Sequence, residues 1–290
     1  MNHLRSSSDV HSVDTLGERA LSFLNQRSYL RYSRRNSSMV FKARMADAKV
    51  WKNLIGAIAT LVDEANFSVD GEGIRLRAMD PSHVAMVDFE WPKVSFEEYM
   101  CNEPARLAVN VSEMLKLLKR IGGDESIELV VEPSSPKLMM ILRSKYTRTF
   151  GMSTLEPSAE EVPTPKISFN ASARLTTSLL KNALDDAGAV SDHIVFDASK
   201  EKLTVRAAGD VGNVVVDVEK GSDELLSLEA KDNARSTFSL NYLSEMVRAA
   251  SNLSDVVMLE FSTDMPVRLN FELPSEGRLQ YYLAPRIEST

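Results

Sequence analysis

The chain has 290 residues, 43% of them hydrophobic and 26% charged, with a formal net charge of −7; that length suits two ordinary domains, each with its own core. No apolar run approaches the roughly 20 residues needed to cross a bilayer, which argues against a membrane protein, and a single cysteine, Cys101, excludes an internal disulfide and points to a reducing compartment. The acidic sum argues against a surface that is basic all over but leaves nucleic acid open, because placement of charge matters more than its total.

Residues 1–38 are serine-rich, with six arginines, no lysine and little apolar periodicity. They lack the apolar core of a secretory signal. Their composition allows an organellar transit peptide, but the reading adopted is a disordered extension or a start placed too early, with Met39 the true beginning. The first helical stripe follows, in Val50, Leu54, Ile55, Ile58, Leu61, Val62 and Ala65. Asp70-Gly71-Glu72-Gly73 reads as a hairpin turn into the alternating strand of Ile74, Leu76 and Ala78. Leu107, Val109 and Val111 alternate next, and Met114, Leu115, Leu118 and Ile121 form the second helical stripe. Turns at 122–124 and 133–136 bound further strands.

Residues 155–165, with three prolines, three glutamates and no periodicity, read as a semi-rigid extended connector. A third helical stripe (Leu175, Leu179, Ala183, Leu184, Ala187), a strand (Leu203, Val205, Ala207), a fourth stripe (Tyr242, Leu243, Met246, Val247, Ala250) and a strand (Val267, Leu269, Phe271) complete the chain. The expected division is 39–154, the connector 155–165, and 166–290. Gaps between strands are mostly too short for crossover helices, so the sheets are expected to be antiparallel.

The halves repeat each other. Ser112-Glu113-Met114 returns as Ser244-Glu245-Met246, each after an alternating strand and before an apolar one. Ile74–Asp80 and Val84–Asp88 answer Leu203–Gly209 and Val214–Asp217 in the same order. Repetition in fixed order marks repeated structural units, so the expected fold is α+β, two similar domains with two helices each on antiparallel sheets.

Signals of catalysis are poor. Gly151-Met-Ser153-Thr-Leu155 lacks the second glycine of a nucleophile elbow, and neither Gly122-Gly123 nor Gly71-Glu-Gly73 has the lysine and hydroxyl of a phosphate loop. His3 and His11 lie in the extension, His83 and His193 are isolated, and no histidine or cysteine cluster has metal-ligand spacing. The adjacent acids Glu97-Glu98, Glu160-Glu161 and Asp185-Asp186 read as solvated surface. No catalytic residue, metal or cofactor is therefore expected. The polar faces of the helices lean basic, with Lys52, Lys116, Lys119, Arg120, Lys181 and Arg248, although Glu113, Asp185 and Glu245 share those helices. Such cations can hold phosphates without reading bases.

Leu279-Gln-Tyr-Tyr-Leu-Ala-Pro-Arg-Ile287 resembles the terminal strand and tail of the proliferating cell nuclear antigen family, the sliding clamps of archaeal and eukaryotic replication. Phe41–Arg44, Ala78-Met-Asp-Pro-Ser-His83-Val, Leu240–Leu243 and Asp264-Met-Pro-Val267 match in order, so the resemblance spans 39–288. It implies the duplicated DNA-clamp fold and a ring of three chains around double-stranded DNA, bound without sequence preference. The ring would close head to tail through strands near Lys145–Gly151 and Asn213–Val218. It implies a non-catalytic processivity factor that tethers DNA polymerase, clamp loader, flap endonuclease and DNA ligase through short peptide motifs. The matching peptide pocket is Met79, His83, Val84, Met86, Val162, Pro163, Pro266, Tyr282, Leu283, Ala284, Pro285 and Ile287.

The chain departs from the family at Asn241, where arginine is frequent, and in a third helix that places Asp185 and Asp186 after Lys181. The short Glu-Pro connector resembles archaeal clamps, for which a cytoplasmic, nucleoid-associated location is expected. A specialised clamp paralogue or one subunit of a heterotrimer is the alternative.

Overall fold

The structure, a computed structural model, describes residues 40–132, 135–158 and 162–287; the N-terminal extension read from the sequence lies outside the described residues. The first half runs β1 (Phe41–Met45), α1 (Ala48–Ile58), β2 (Glu64–Asp70), β3 (Gly73–Met79), β4 (Ala85–Pro92), β5 (Glu98–Cys101), β6 (Ala105–Asn110), α2 (Val111–Leu118), β7 (Ser126–Val131), β8 (Lys137–Arg143) and β9 (Thr147–Ser153). The second runs β10 (Ala171–Thr176), α3 (Thr177–Gly188), β11 (His193–Ala198), β12 (Lys202–Gly209), β13 (Gly212–Glu219), β14 (Leu225–Ala230), β15 (Ala234–Ser239), α4 (Leu240–Ala250), β16 (Val256–Phe261), β17 (Val267–Glu272) and β18 (Arg278–Leu283). The order of strands and helices is the same in both halves, as the repeated motifs require.

Three antiparallel sheets result, of five (β5-β1-β7-β8-β9), nine (β14-β10-β16-β17-β18-β4-β3-β2-β6) and four strands (β13-β12-β11-β15). The nine-stranded sheet joins the halves: β18 pairs β4 from Arg278 opposite Glu90 to Leu283 opposite Ala85. Five of its strands come from the second half and four from the first.

Local chemistry fixes the turns and caps. The Asp70 carboxylate accepts from the N–H groups of Glu72 (2.8 Å) and Gly73 (3.2 Å). Gly73 adopts φ 153° and passes so close to Trp91 that a Cβ would lie 2.2 Å from its carbonyl oxygen, which only glycine permits. Asn110 caps α2 by accepting from Glu113 N–H at 2.8 Å, and Thr176 caps α3 from Leu179 N–H.

The helices are shorter than their apolar stripes. Helix α1 ends at Ile58; Leu61 and Val62 are buried in the turn after it, and Ala65 belongs to β2. Ile121 follows α2, Val111 starts that helix instead of ending a strand, and Leu175 belongs to β10. In each case burial against one continuous core extends the apolar pattern past the hydrogen-bonded helix. The stripe of α3 is Leu180, Ala183, Leu184 and Ala187, with Leu179 only half-buried. The two Ser-Glu-Met copies sit differently: Met114 is the fourth residue of α2 and Met246 the seventh of α4, yet both side chains are fully buried.

Candidate functional site

The four helices pack side by side in the order α3, α4, α1, α2. Contact between α4 and α1 carries this layer across the two halves, where Asn53 Nδ2 donates to the Asn252 carbonyl at 3.2 Å. The six cations expected from the sequence to face DNA fall into two groups on this layer. Lys116, Lys119 and Arg120, on and just after α2, are exposed. The other three are engaged: Lys52 donates to the Ile121 carbonyl at 2.9 Å, tying α1 to the end of α2. Lys181 and Arg248 both grip Asp185, at 2.7 and 3.3 Å, which links α3 to α4. These contacts, Lys181 first, hold the Asp185 carboxyl below its ordinary value.

A cavity of about 310 Å³ opens between the connector, the loop after β3 and the end of β18. Met79, His83, Val84, Met86, Val162, Pro163, Pro266, Tyr282 and Ala284 line it together, joined by Ala85, Thr164, Pro165 and Ile167. Three residues of the sequence-derived set lie elsewhere. Leu283 is a core residue, 2% exposed, whereas Pro285 and Ile287 are in the tail past the cavity, with Ile287 77% exposed. That tail is fastened by Ala284 N–H to the Val84 carbonyl (2.8 Å) and Arg286 N–H to the Thr237 carbonyl (2.7 Å).

Three residues that sequence reading missed, Asp80, Tyr242 and Arg77, shape the cavity walls. Asp80 is 3% exposed, and its carboxylate accepts four donors: N–H of Ser82 (3.1 Å), Val84 (2.9 Å) and Ala85 (2.7 Å), and the Tyr242 hydroxyl (2.9 Å). These bonds hold His83 at φ 56° and fix the loop that carries His83 and Val84. Burial pushes the Asp80 carboxyl up, but the four donors outweigh it and leave it below the ordinary 3.8. Tyr242 stands on α4, so the loop is anchored to the helix layer of the other half. Arg77 bonds Asp88 (2.6 Å) and reaches over to Thr164 Oγ1 (2.7 Å), pinning the connector to the sheet. An aspartate followed by a short Pro-Ser-His turn is a readable Asx signal for Asp80; nothing in the spacing marks Tyr242, which sits in an apolar stripe.

Among the described residues there is no group of three or more His, Cys, Asp or Glu side chains able to hold a metal ion, and no helix is long and apolar enough to cross a membrane.

The chain is similar to known proteins over almost all its described length. Residues 40–157 match the model of the proliferating cell nuclear antigen N-terminal domain, and 164–286 that of the C-terminal domain. The DNA polymerase sliding clamp of Cenarchaeum symbiosum is 36% identical over 251 residues, covering 87% of this chain and 100% of that protein. The DNA polymerase sliding clamp 1 of Pyrobaculum aerophilum is 37% identical over 242 residues, covering 83% and 96%. The crystal structure of PCNA from Thermococcus kodakaraensis superposes with a TM-score of 0.81 at 29% identity, covering 85% of this chain and all of that one. With both halves matched in order by its two domain models, this chain belongs to the proliferating cell nuclear antigen family.

Proposed function

We infer that the chain is a DNA polymerase sliding clamp, a ring of three copies around duplex DNA that tethers polymerase and other replication and repair proteins. The observation that carries this reading is the pairing of β18 with β4. By position in the repeat, β9 is the counterpart of β18 and β13 the counterpart of β4. Both counterparts stand at open sheet edges, β9 on the five-stranded and β13 on the four-stranded sheet. Joining β9 of one copy to β13 of the next would rebuild the nine-stranded sheet already present within the molecule. The internal junction carries an Arg278–Glu90 ion pair at 2.8 Å; the open edges carry Arg148 near the start of β9 and Glu219 at the end of β13. A head-to-tail contact of this kind closes into a ring when the same rotation repeats, and pairing removes two exposed edges.

Function then follows from topology. A closed ring leaves DNA only when a protein interface opens, so its phosphate contacts can stay weak enough for sliding. The exposed cations of α2 suit that role, and the apolar cavity under the connector suits a short partner peptide with aliphatic and aromatic anchors. Polymerase, clamp loader, flap endonuclease and ligase are the partners proposed for that cavity. In this reading the chain has no catalytic activity and works in the cytoplasm with the chromosome. Light scattering on the purified protein, followed by primer extension on circular and open-ended templates with a clamp loader and ATP, tests it. A mass of three chains and longer products on circular templates are expected. Unchanged product length would refute the processivity role, and a monomer at micromolar concentration would favour a heterotrimer subunit.

A further inference from the structure

A second cavity, of about 290 Å³, lies on the nine-stranded sheet beside the partner pocket, and Val162 lines both. Its character is opposite. Strand register sets Arg75 beside Glu90 and Glu90 beside Arg278, so one carboxylate stands between two guanidinium groups. Glu90 bonds Arg278 at 2.8 Å, whereas Arg75 turns to Asp70. Both arginines keep close to half of their side-chain surface open, 47% for Arg75 and 46% for Arg278. A guanidinium offers five N–H donors and a bidentate carboxylate takes two, so each retains donors at the cavity. Nearby, the Asn66 side-chain oxygen is buried without a hydrogen-bond partner among the described residues. A half-turn of that amide would present its NH₂ to an anion. This concentration of donors is local, on a chain whose net charge is −7.

We propose that this cavity receives an acidic side chain of the same peptide that fills the apolar pocket, so that partners with a carboxylate flanking their apolar anchor bind more tightly. The inference rests on the pocket reading above. Arg75 and Arg278 supply the charge-assisted hydrogen bonds, Asn66 the amide donor, and Val162 the partition over which the peptide passes. Arg77 has a different task, since its donors already hold Asp88 and the connector.

The test uses the full chain and two synthetic peptides with one aliphatic and two aromatic anchors, flanked by glutamates in one and glutamines in the other. Fluorescence anisotropy at low salt is expected to give the Glu-flanked peptide about a five- to tenfold tighter Kd. In the double variant Arg75→Gln, Arg278→Gln that preference falls to within about twofold, while the Gln-flanked peptide binds as before and so controls for folding. Equal binding of the two peptides to the native chain overturns this proposal and leaves the pocket standing. Binding of neither peptide overturns both. Inorganic phosphate, added as a competitor, is expected to weaken only the Glu-flanked peptide; phosphate that binds while leaving both peptide affinities unchanged assigns the cavity to a free oxyanion and overturns the proposal.

Discussion

Replacing Asp80 by asparagine tests how the cavity under the connector is held. The substitution keeps shape and leaves one oxygen for the N–H groups of Val84 and Ala85, which bond Oδ1 at 2.9 and 2.7 Å. It converts Oδ2, which receives Ser82 N–H and the Tyr242 hydroxyl, into a donor. Tyr242 can rotate its proton away and accept instead, but Ser82 N–H then faces a donor. One hydrogen bond to a charged acceptor is lost, a backbone donor is left unmatched and the rest weaken, for a combined cost of about 2–3 kcal/mol. Urea unfolding at pH 7 measures it, and anisotropy with a pocket peptide is expected to show weaker binding as His83 and Val84 loosen. The pH dependence has a definite sign. Because the folded carboxyl lies below its ordinary 3.8, its stabilisation is fully present above the unfolded value and is lost only as pH falls through the folded one. The gap between native and Asp80→Asn chains should therefore stay constant between about pH 8 and pH 5. A gap that narrows over that range would mean that burial, not the four donors, governs Asp80, and the reasoning would be refuted.

Three further outcomes follow from the site. Tyr282→Ala removes a pocket wall that is 8% exposed and should weaken peptide binding by about 30-fold while light scattering still reports three chains; unchanged affinity would remove Tyr282 from the pocket. Lys116→Gln with Lys119→Gln should flatten the salt dependence of retention on circular DNA by about one unit of log–log slope per lysine, whereas Lys181→Gln, whose lysine is already held by Asp185, should do little. A proline at Thr149, on the β9 edge, removes an N–H and disrupts edge pairing, so the mass should drop to one chain; a persistent trimer would place the ring contact elsewhere.

The duplicated architecture was legible because strand alternation and apolar helical spacing both reflect burial, and both halves repeat the same order. Of the residues expected at a peptide pocket, Met79, His83, Val84, Met86, Tyr282 and Ala284 come together around one cavity because each group sits in one family-like motif. Leu283 was misplaced because a strand end next to the pocket alternates faces: Tyr282 lines the cavity while Leu283 joins the core. Asp185 is exposed, in keeping with its reading as solvated surface, but its pairing with Arg248 bridges two helices, and sequence spacing reveals only the i,i+4 contact with Lys181. The Asp80–Tyr242 bond joins residues 162 positions apart, and no local pattern encodes it.

The Asp185 bridges give the two halves unequal electrostatic roles in the proposed ring. The second half places Lys181 and Arg248 on the helix layer but ties both to one carboxylate, so each would have to share a phosphate with Asp185 or leave it. The first half leaves Lys116, Lys119 and Arg120 exposed. A ring of alternating halves would thus present strong and weak cationic sectors in turn. Duplex phosphates follow a helical path, so at any instant only some sectors meet them, and the weakly charged ones offer low-friction stretches between contacts. An identical cationic patch on all six domains would hold the backbone at more points and would slow translation along it. Restoring a free cation in the second half, by Asp185→Asn, should then raise DNA retention and its salt slope together, while primer extension slows; retention that rises without slower extension would show that friction at the bore does not limit sliding.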